Sequence, residues 1–287
     1  MDRKVVVICG PTASGKSSLA IDFSLENNGV IINCDSQQVY KDLRILTARP
    51  SVNDEKIVPH RLYGFLTGEE NIEKFSVVDW VNIACNEIEN VFASGKQPVL
   101  VGGTGFYISA LINGISVVPS IDTDVRKKVR TMSNDEIYSQ LKSVDSEIAA
   151  KLNIGDTQRI MRALEVFLST GKTLNEWQKM PGQKNLSDCK FELIYQSPSK
   201  DELWKRIEMR IDAMLNDGVI DEVCAFLQLK YPCDLSICKS IGVQEISDYI
   251  DKKISYDEMR DLIIIRTRQY AKRQNTYFRN QTYLKSI

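Results

Sequence analysis

The 287-residue sequence predicts an α/β fold, a parallel sheet flanked by helices and interrupted by a helical insertion. Three observations lead there. Short apolar runs ("VVVIC", "GVIIN", "PVLV") each end in a polar or glycine-rich turn. Helical periodicity follows the first and third of them. Between residues 120 and 180 the sequence turns polar and helical, with few strand candidates.

Val5–Cys9 reads as a buried strand that runs into "GPTASGKS" (residues 10–17), and Ser17–Leu25 reads as the helix after it. Val30–Cys34 is a second apolar run, long enough for a parallel strand, with Asp35 and Ser36 at its carboxyl tip. "QPVLVGGTGFYISALI" repeats the pattern: strand Pro98–Val101, glycine turn, helix from about Phe106. Ligands of such sheets gather beyond the carboxyl ends of the strands. Asp35, the first glycine loop and the Gly102–Gly105 turn are therefore expected to line one crevice. Residues 113–190 read as a mainly helical insertion, leaving 1–112 and 191–287 as the core. "KFELIYQSP" (190–198) returns to the sheet, and helices follow to the end.

Composition narrows the class. Apolar residues make up 43% of the chain, charged residues 26%, and the formal charge is −1. That excludes a globally basic nucleic-acid binder while leaving room for a local basic patch. Seven cysteines without a Cys-x-x-Cys pair, and a single histidine, His60, argue against both a disulfide framework and a zinc site. No segment approaches the ~18 apolar residues of a membrane helix. "MDRKVVVICG" is too short in its apolar part for a signal peptide. A cytoplasmic protein with reduced thiols is expected.

"GPTASGKS" has glycine, four residues, glycine, lysine and serine on a strand–turn–helix, the phosphate-loop signature. The fold expected is therefore P-loop NTPase-like. Backbone N–H groups of Gly10, Pro11, Thr12, Ala13, Ser14, Gly15, Lys16 and Ser17, proline aside, and the helix N-terminus attract anionic oxygens. Lys16 adds a point charge, and the Ser17 hydroxyl is a candidate Mg²⁺ ligand. An ATPase or kinase normally adds a strand-end acid to hold the metal. Here "PVLV" ends in Gly-Gly-Thr-Gly, and the one strand-end acid is Asp35. An acid there suits proton abstraction as well as metal binding, and the loop alone does not decide.

Five blocks stand in order: "DSQQVY" (35–40), "LTARP" (46–50), "VGGTGFYISAL" (101–111), "DTQRIMRALEVFLSTG" (156–171) and "RTRQYAKRQNTYF" (266–278). With them the sequence resembles the bacterial tRNA dimethylallyltransferases over almost its whole length. It differs at Arg49 (commonly lysine), at His60-Arg61 (two histidines), at "IGVQE" (241–245) and at Tyr277 (tryptophan). No cysteine–histidine zinc module follows the core, as one does in eukaryotic members.

The resemblance implies transfer of a dimethylallyl group from its diphosphate to N6 of the adenosine just 3′ of the anticodon. It also implies Mg²⁺ as cofactor, and a monomer is expected. Thr12, Lys16 and Asp35 are the implied catalytic residues. The loop and Mg²⁺ would neutralise the leaving diphosphate while Asp35 accepts the amine proton. In "WKRIEMRIDAMLNDG", Ile207, Ile211, Met214 and Leu215 form an apolar stripe, with Gly218 a plausible stop. Arg206 and Arg210 share one flank, suited to closing over a diphosphate. Surface pairing with Glu208 or Asp212 is the competing reading, and the resemblance favours the clamp.

Residues implied at the tRNA are Asp35, Ser36, Gln37, Gln38, Thr104, Arg126, Gln158, Arg159, Ile160, Met161, Arg162, Arg268, Lys272 and Arg273. In "DTQRIMRALEVF", Asp156 can cap a helix whose Ile160, Leu164 and Phe167 face inward, with Gln158 and Arg162 outward. From Arg260 onward there are seven basic residues (Arg260, Arg266, Arg268, Lys272, Arg273, Arg279, Lys285) and one acid, Asp261. Tyr270, Tyr277 and Phe278 interleave with them, a pattern that suits an RNA backbone track with stacking positions. Three rivals remain: transfer to free adenine nucleotides, a small-molecule kinase, and a non-catalytic RNA-binding module.

Overall fold

The computed structural model describes residues 3–116, 118–180, 182 and 186–281. Its elements run β1 (Arg3–Cys9), α1 (Lys16–Glu26), β2 (Gly29–Asn33), α2 (Val52–Ile57), β3 (His60–Arg61), α3 (Glu69–Lys74), α4 (Val77–Ala93), β4 (Gln97–Gly102) and α5 (Gly105–Asn113). The helices α6 (Thr123–Arg130), α7 (Asn134–Val144), α8 (Ser146–Lys151), α9 (Thr157–Thr170) and α10 (Leu174–Lys179) follow. The chain then continues with β5 (Cys189–Tyr195), α11 (Lys200–Asn216), α12 (Val219–Leu227), a 3-10 turn at Ile237–Lys239, α13 (Val243–Ile250) and α14 (Tyr256–Arg279).

The sheet is parallel throughout, in the order β3-β2-β4-β1-β5. The inner strands β1, β2 and β4 are continuous apolar runs, as strands covered on both faces are, whereas the edge strand β5 alternates, with Lys190 and Glu192 exposed. Val5 to Cys9 are all buried, each side chain contributing on the order of 1.5–3 kcal/mol. On one face α1 packs Ala20 against Val6, Ile8, Ile31, Val99 and Val101. Elsewhere in the core, Trp80 of α4 stacks on Tyr107 of α5 with ring centroids 4.4 Å apart.

Register decides where the site lies. Cys9 pairs with Gly102 and with Tyr195, and Asn33 pairs with Val101, so β1, β2, β4 and β5 end level. The turns after β1, β2 and β4 therefore emerge side by side. Sequence reading placed these strands and missed β3. Its two residues pair with Ile31 and Ile32 but contain no apolar run that could have announced a strand.

The chain forms two compact units, Met1–Ile112 with Leu186–Ile287, and Asn113–Asn185. The core resumes at Leu186, whose side chain is buried, a few residues before the 191 read from sequence. Among its described residues, the regular elements of the second unit are the helices α6 to α10. Its core is Val129, Ile137, Leu141, Ile160, Ala163 and Leu164. Ser133 with Glu136 and Thr173 with Glu176 form reciprocal capping boxes that start α7 and α10. Asp156 stands at the start of α9 but makes no side-chain cap bond. Its carboxylate instead accepts from Arg159 at 3.0 Å.

Candidate active site

The first loop is shaped by its own backbone. Gly15 sits at φ 92°, a left-handed conformation open to glycine at little cost, and it turns the chain into α1. Ser14 N–H donates to Pro11 O at 3.2 Å, and Lys16 Nζ donates to the same carbonyl at 3.1 Å. The Lys16 ammonium therefore lies over the loop. Burial pushes its pKa down to about 8, opposed by attraction to Asp35 and reinforced by repulsion from Arg210. An anion in the loop would restore its charge. Ser17 is exposed, and its hydroxyl has no hydrogen bond among the described residues.

The turn after β2 is fixed by Asn33, fully buried. Its side-chain amide donates to Asp35 O and Leu62 O, both at 3.0 Å, and its oxygen accepts from Asp35 N at 2.8 Å. Ser36 N then donates to the Thr104 hydroxyl at 2.9 Å, joining this turn to the one after β4. Gln37 N donates to Asp35 Oδ1 at 2.9 Å, which leaves Oδ2 without a hydrogen bond among the described residues. The carboxylate is oriented on one oxygen and available on the other.

Both α11 arginines reach the loop. Arg210 Nη1 donates to the Thr12 hydroxyl at 3.0 Å. Burial lowers its pKa while Asp35 holds it up. Arg206 Nη1 donates to Ser14 O at 3.0 Å, and its Nε pairs with Glu202 at 2.7 Å. The competing partners are occupied elsewhere: Glu208 pairs with Arg268, and Asp212 with Arg260, both on α14.

Three of these groups, Thr12, Asp35 and Arg210, open onto a cavity of about 250 Å³. Thr12, Asp35, Gln37, Arg210 and Arg273 supply its polar wall, and Leu46, Ile211, Met214 and Ile263 its apolar wall. A second cavity of about 240 Å³ takes in Ser17, Tyr63 and Arg49, and it shares Ala48 and Arg210 with the first. Among the described residues no cluster of His, Cys, Asp and Glu could hold a metal by itself. A divalent cation here would rest on phosphate oxygens, water and the uncommitted Ser17 hydroxyl, a donor set that suits Mg²⁺.

The family model described as IPP transferase matches residues 38–281. The chain belongs to this family. A tRNA dimethylallyltransferase from Zymomonas mobilis is 46% identical over 278 residues, covering 97% of this chain and 88% of that one. One from Pelagibacter ubique is 42% identical, covering 98% and 90%. Among solved structures, the full-length tRNA isopentenylpyrophosphate transferase of Bacillus halodurans matches with a TM-score of 0.67 at 30% identity, covering 98% of this chain and 88% of that chain. A eukaryotic dimethylallyltransferase acting on tRNA matches with a TM-score of 0.77 at 30% identity, covering 96% and 69%. Both neighbours bear out the P-loop NTPase-like core expected from "GPTASGKS".

Contacts to RNA have to be sought among free polar groups, and several of the expected ones are committed. Gln38 donates to Thr47 O at 3.0 Å and Ala48 O at 2.6 Å, so its side chain holds the 46–50 loop. Ile160 is buried in the core of the helical unit, and its side chain offers RNA no surface, which corrects the expectation for that residue. Gln158 and Arg159 are exposed on α9, with Met161 half-buried. Burial lowers the pKa of Arg162, and the charge of Arg126 adds to that, so those two cations lie close together.

The basic track along α14 is shorter than its sequence suggests. Arg260 pairs with Asp212, Arg266 with the buried Glu245 at 2.8 Å, and Arg268 with Glu208 while lying over the Trp204 ring. Lys272, Arg273 and Arg279 keep no ion pair among the described residues, and Lys285 lies outside them. Phe278 is buried against Tyr195 and cannot stack on a base. Tyr277 is half-buried against the Gly105 backbone. Tyr270 remains, lining the main cavity with Arg273 over its ring at 5.7 Å.

Sequence reading missed several cavity residues. Ile211 and Met214 were read only as a helical core stripe, Leu46 only as part of the "LTARP" block, and Ser240 and Ile263 were not singled out. Gln274 is the most informative omission. It is a polar residue on a basic helix, and nothing local distinguishes it from a solvated one.

Proposed function

We propose that this chain transfers a dimethylallyl group from dimethylallyl diphosphate to N6 of the adenosine immediately 3′ of the anticodon in tRNA, the class of activity its relatives are named for. One observation carries the reading: Thr12 of the phosphate loop, the Arg210 that donates to it and an oriented Asp35 share the wall of one cavity. A kinase also employs an acid toward its acceptor, but the apolar wall of Leu46, Ile211, Met214 and Ile263 beside Asp35 suits an apolar transferred group.

The chemistry follows from the parts. An adenine exocyclic amine is a poor nucleophile because its lone pair is delocalised into the ring. The C1–O bond of the donor breaks as the N6–C1 bond forms, and the diphosphate leaves with the bonding electron pair. Residues Gly10 to Ser17, with Lys16, Arg206 and Arg210, are placed to stabilise the charge that develops there. Thr12, held by Arg210, would donate its hydroxyl hydrogen to the leaving oxygen, and Asp35 Oδ2 takes the amine proton. Leu46, Ile211, Met214 and Ile263 form a dry wall suited to the prenyl chain. Mg²⁺, when bound at Ser17, would supply further charge neutralisation to the phosphates.

The target base must leave its stack to reach the cavity, at a cost of a few kcal/mol. Lys272 and Arg273 are the cations of the core unit near it that keep no ion pair among the described residues. Thr104 donates to Ser36 Oγ at 3.2 Å and Gln37 Oε1 accepts from Ser240 Oγ at 2.7 Å, so these three would receive the base only through their remaining hydrogen-bonding capacity. Arg126, Gln158, Arg159 and Arg162 are the candidates of the helical unit for the anticodon arm. We further propose that the enzyme works as a cytoplasmic monomer. Among the described residues no helix is long and apolar enough to cross a membrane.

The test is Mg²⁺-dependent transfer of labelled dimethylallyl from its diphosphate to an anticodon stem-loop. Labelled stem-loop supports the reading. ATP consumption with an unlabelled stem-loop would replace it with the kinase reading, and labelling of free AMP alone with the nucleotide one.

A further inference from the structure

We propose that Gln274 is a positioning residue, holding the phosphate loop and the turn after β4 at the separation that transfer requires. This rests on the transferase reading above and adds a role that neither the motif nor the cavity lining assigns.

Gln274 projects from the inner face of α14, buried among Ala271, Phe278 and Ile264. Its side-chain oxygen accepts from Thr12 N at 2.8 Å. Its side-chain amide donates to Gly103 O at 3.0 Å. The orientation of the amide is not arbitrary: a backbone N–H can only donate and a carbonyl can only accept, so one rotamer satisfies both. Gly103 is shaped for this contact, since a Cβ there would stand 2.2 Å from Gln274 Nε2.

The two anchored segments carry opposite halves of the reaction. On one side Thr12 receives Arg210 at its hydroxyl, in the loop assigned to the diphosphate. On the other, Thr104 follows Gly103 and receives Ser36 N, which sets the turn that carries Asp35. Gln274 is thus a single side chain bonded to both the leaving-group side and the base side. It touches neither reacting centre, so its effect is on their spacing.

The experiment compares the native enzyme with Gln274→Met, which keeps length and loses both bonds, and Gln274→Glu, which keeps the acceptor and loses the donor. Single-turnover transfer to an anticodon stem-loop is measured at saturating substrates, beside Kd values for inorganic diphosphate and stem-loop and the melting temperature. Gln274→Met should transfer about 10²-fold more slowly, the scale of a roughly 1 Å misplacement, with both Kd values within about threefold. Gln274→Glu should fall between it and the native enzyme. Gly103→Ala, whose Cβ would displace the Gln274 amide and also stand 3.1 Å from Gly10 O of the phosphate loop, should slow transfer as well and serves as a second probe of the same spacing if Gln274→Met does not fold. A folded Gln274→Met with a native rate, or one whose loss is confined to Kd, overturns the proposal. A native enzyme that labels no stem-loop overturns the transferase reading first, and this proposal with it.

Discussion

Arg210 Nη1 donates to the Thr12 hydroxyl at 3.0 Å, tying α11 to the phosphate loop across 198 positions of sequence. The guanidinium is buried enough for its pKa to be lowered, so its charge acts in a poorly screened setting. Replacing it by Gln removes that charge and leaves a hydrogen-bonding group of different reach. Arg210→Gln should lower single-turnover transfer by about 10²–10³-fold, the usual cost of one preorganised donor. An unchanged rate with weakened donor binding would make Arg210 a ground-state contact only.

Asp35 is oriented through one oxygen by Gln37 N, so removing it should cost chemistry more than binding. For Asp35→Ala the transfer rate should fall about 10²-fold or more while stem-loop affinity is kept. A near-native single-turnover rate would remove Asp35 from the role of base.

Lys16 gives the site a pH dependence. Its folded pKa is about 8 against 10.5 in the unfolded chain, so between those values the unfolded chain holds more protons. Stability from this group therefore rises with pH through that window and is missing below it. Diphosphate prefers the charged lysine, so its affinity should fall as pH climbs past about 8. Binding near that pH should take up protons, measurable by calorimetry in buffers of different ionisation enthalpy. Binding without proton uptake would show that Lys16 is already charged in the free enzyme.

The arginines and lysines of α14 divide by partner. Lys272→Ala should weaken stem-loop binding and reduce the dependence on log salt by about one. Arg268→Ala should leave that slope alone and instead lower the melting temperature, because it breaks the contact to Glu208 and Trp204. Equal slopes for both variants would return Arg268 to the RNA surface.

Ile160 tests the helical unit. Its side chain is almost completely buried, so Ile160→Ala should destabilise by about 2–5 kcal/mol in denaturant unfolding. A loss of RNA affinity without loss of stability would contradict its place in the core.

How much of this was legible beforehand depends on whether the deciding partner is local. β1, β2 and β4 announce themselves because a strand buried on both faces must be apolar throughout. The loop is legible because its glycines, lysine and serine act on one ligand within eight positions. β3 is illegible because two residues bonded to a neighbour need no pattern of their own. The α14 ion pairs are illegible for another reason: Arg260 meets an acid 48 positions away and Arg268 one 60 positions away. Charge on a helix looks the same whether it will meet water, RNA or an acid on a distant helix. Phe278 misled because aromatics beside basic residues suit both a stacking platform and a helix seated on a core.

The contact between Thr12 N and Gln274 spans 262 positions, nearly the length of the chain. Loop closure over such a distance has to precede any stabilisation from it, which favours slow completion of this corner of the fold. During synthesis, the phosphate-loop segment must wait for α14 before its cradle is closed. A nascent chain stalled ahead of Gln274 would carry a finished phosphate-loop sequence without the side chain that ties it to the turn after β4.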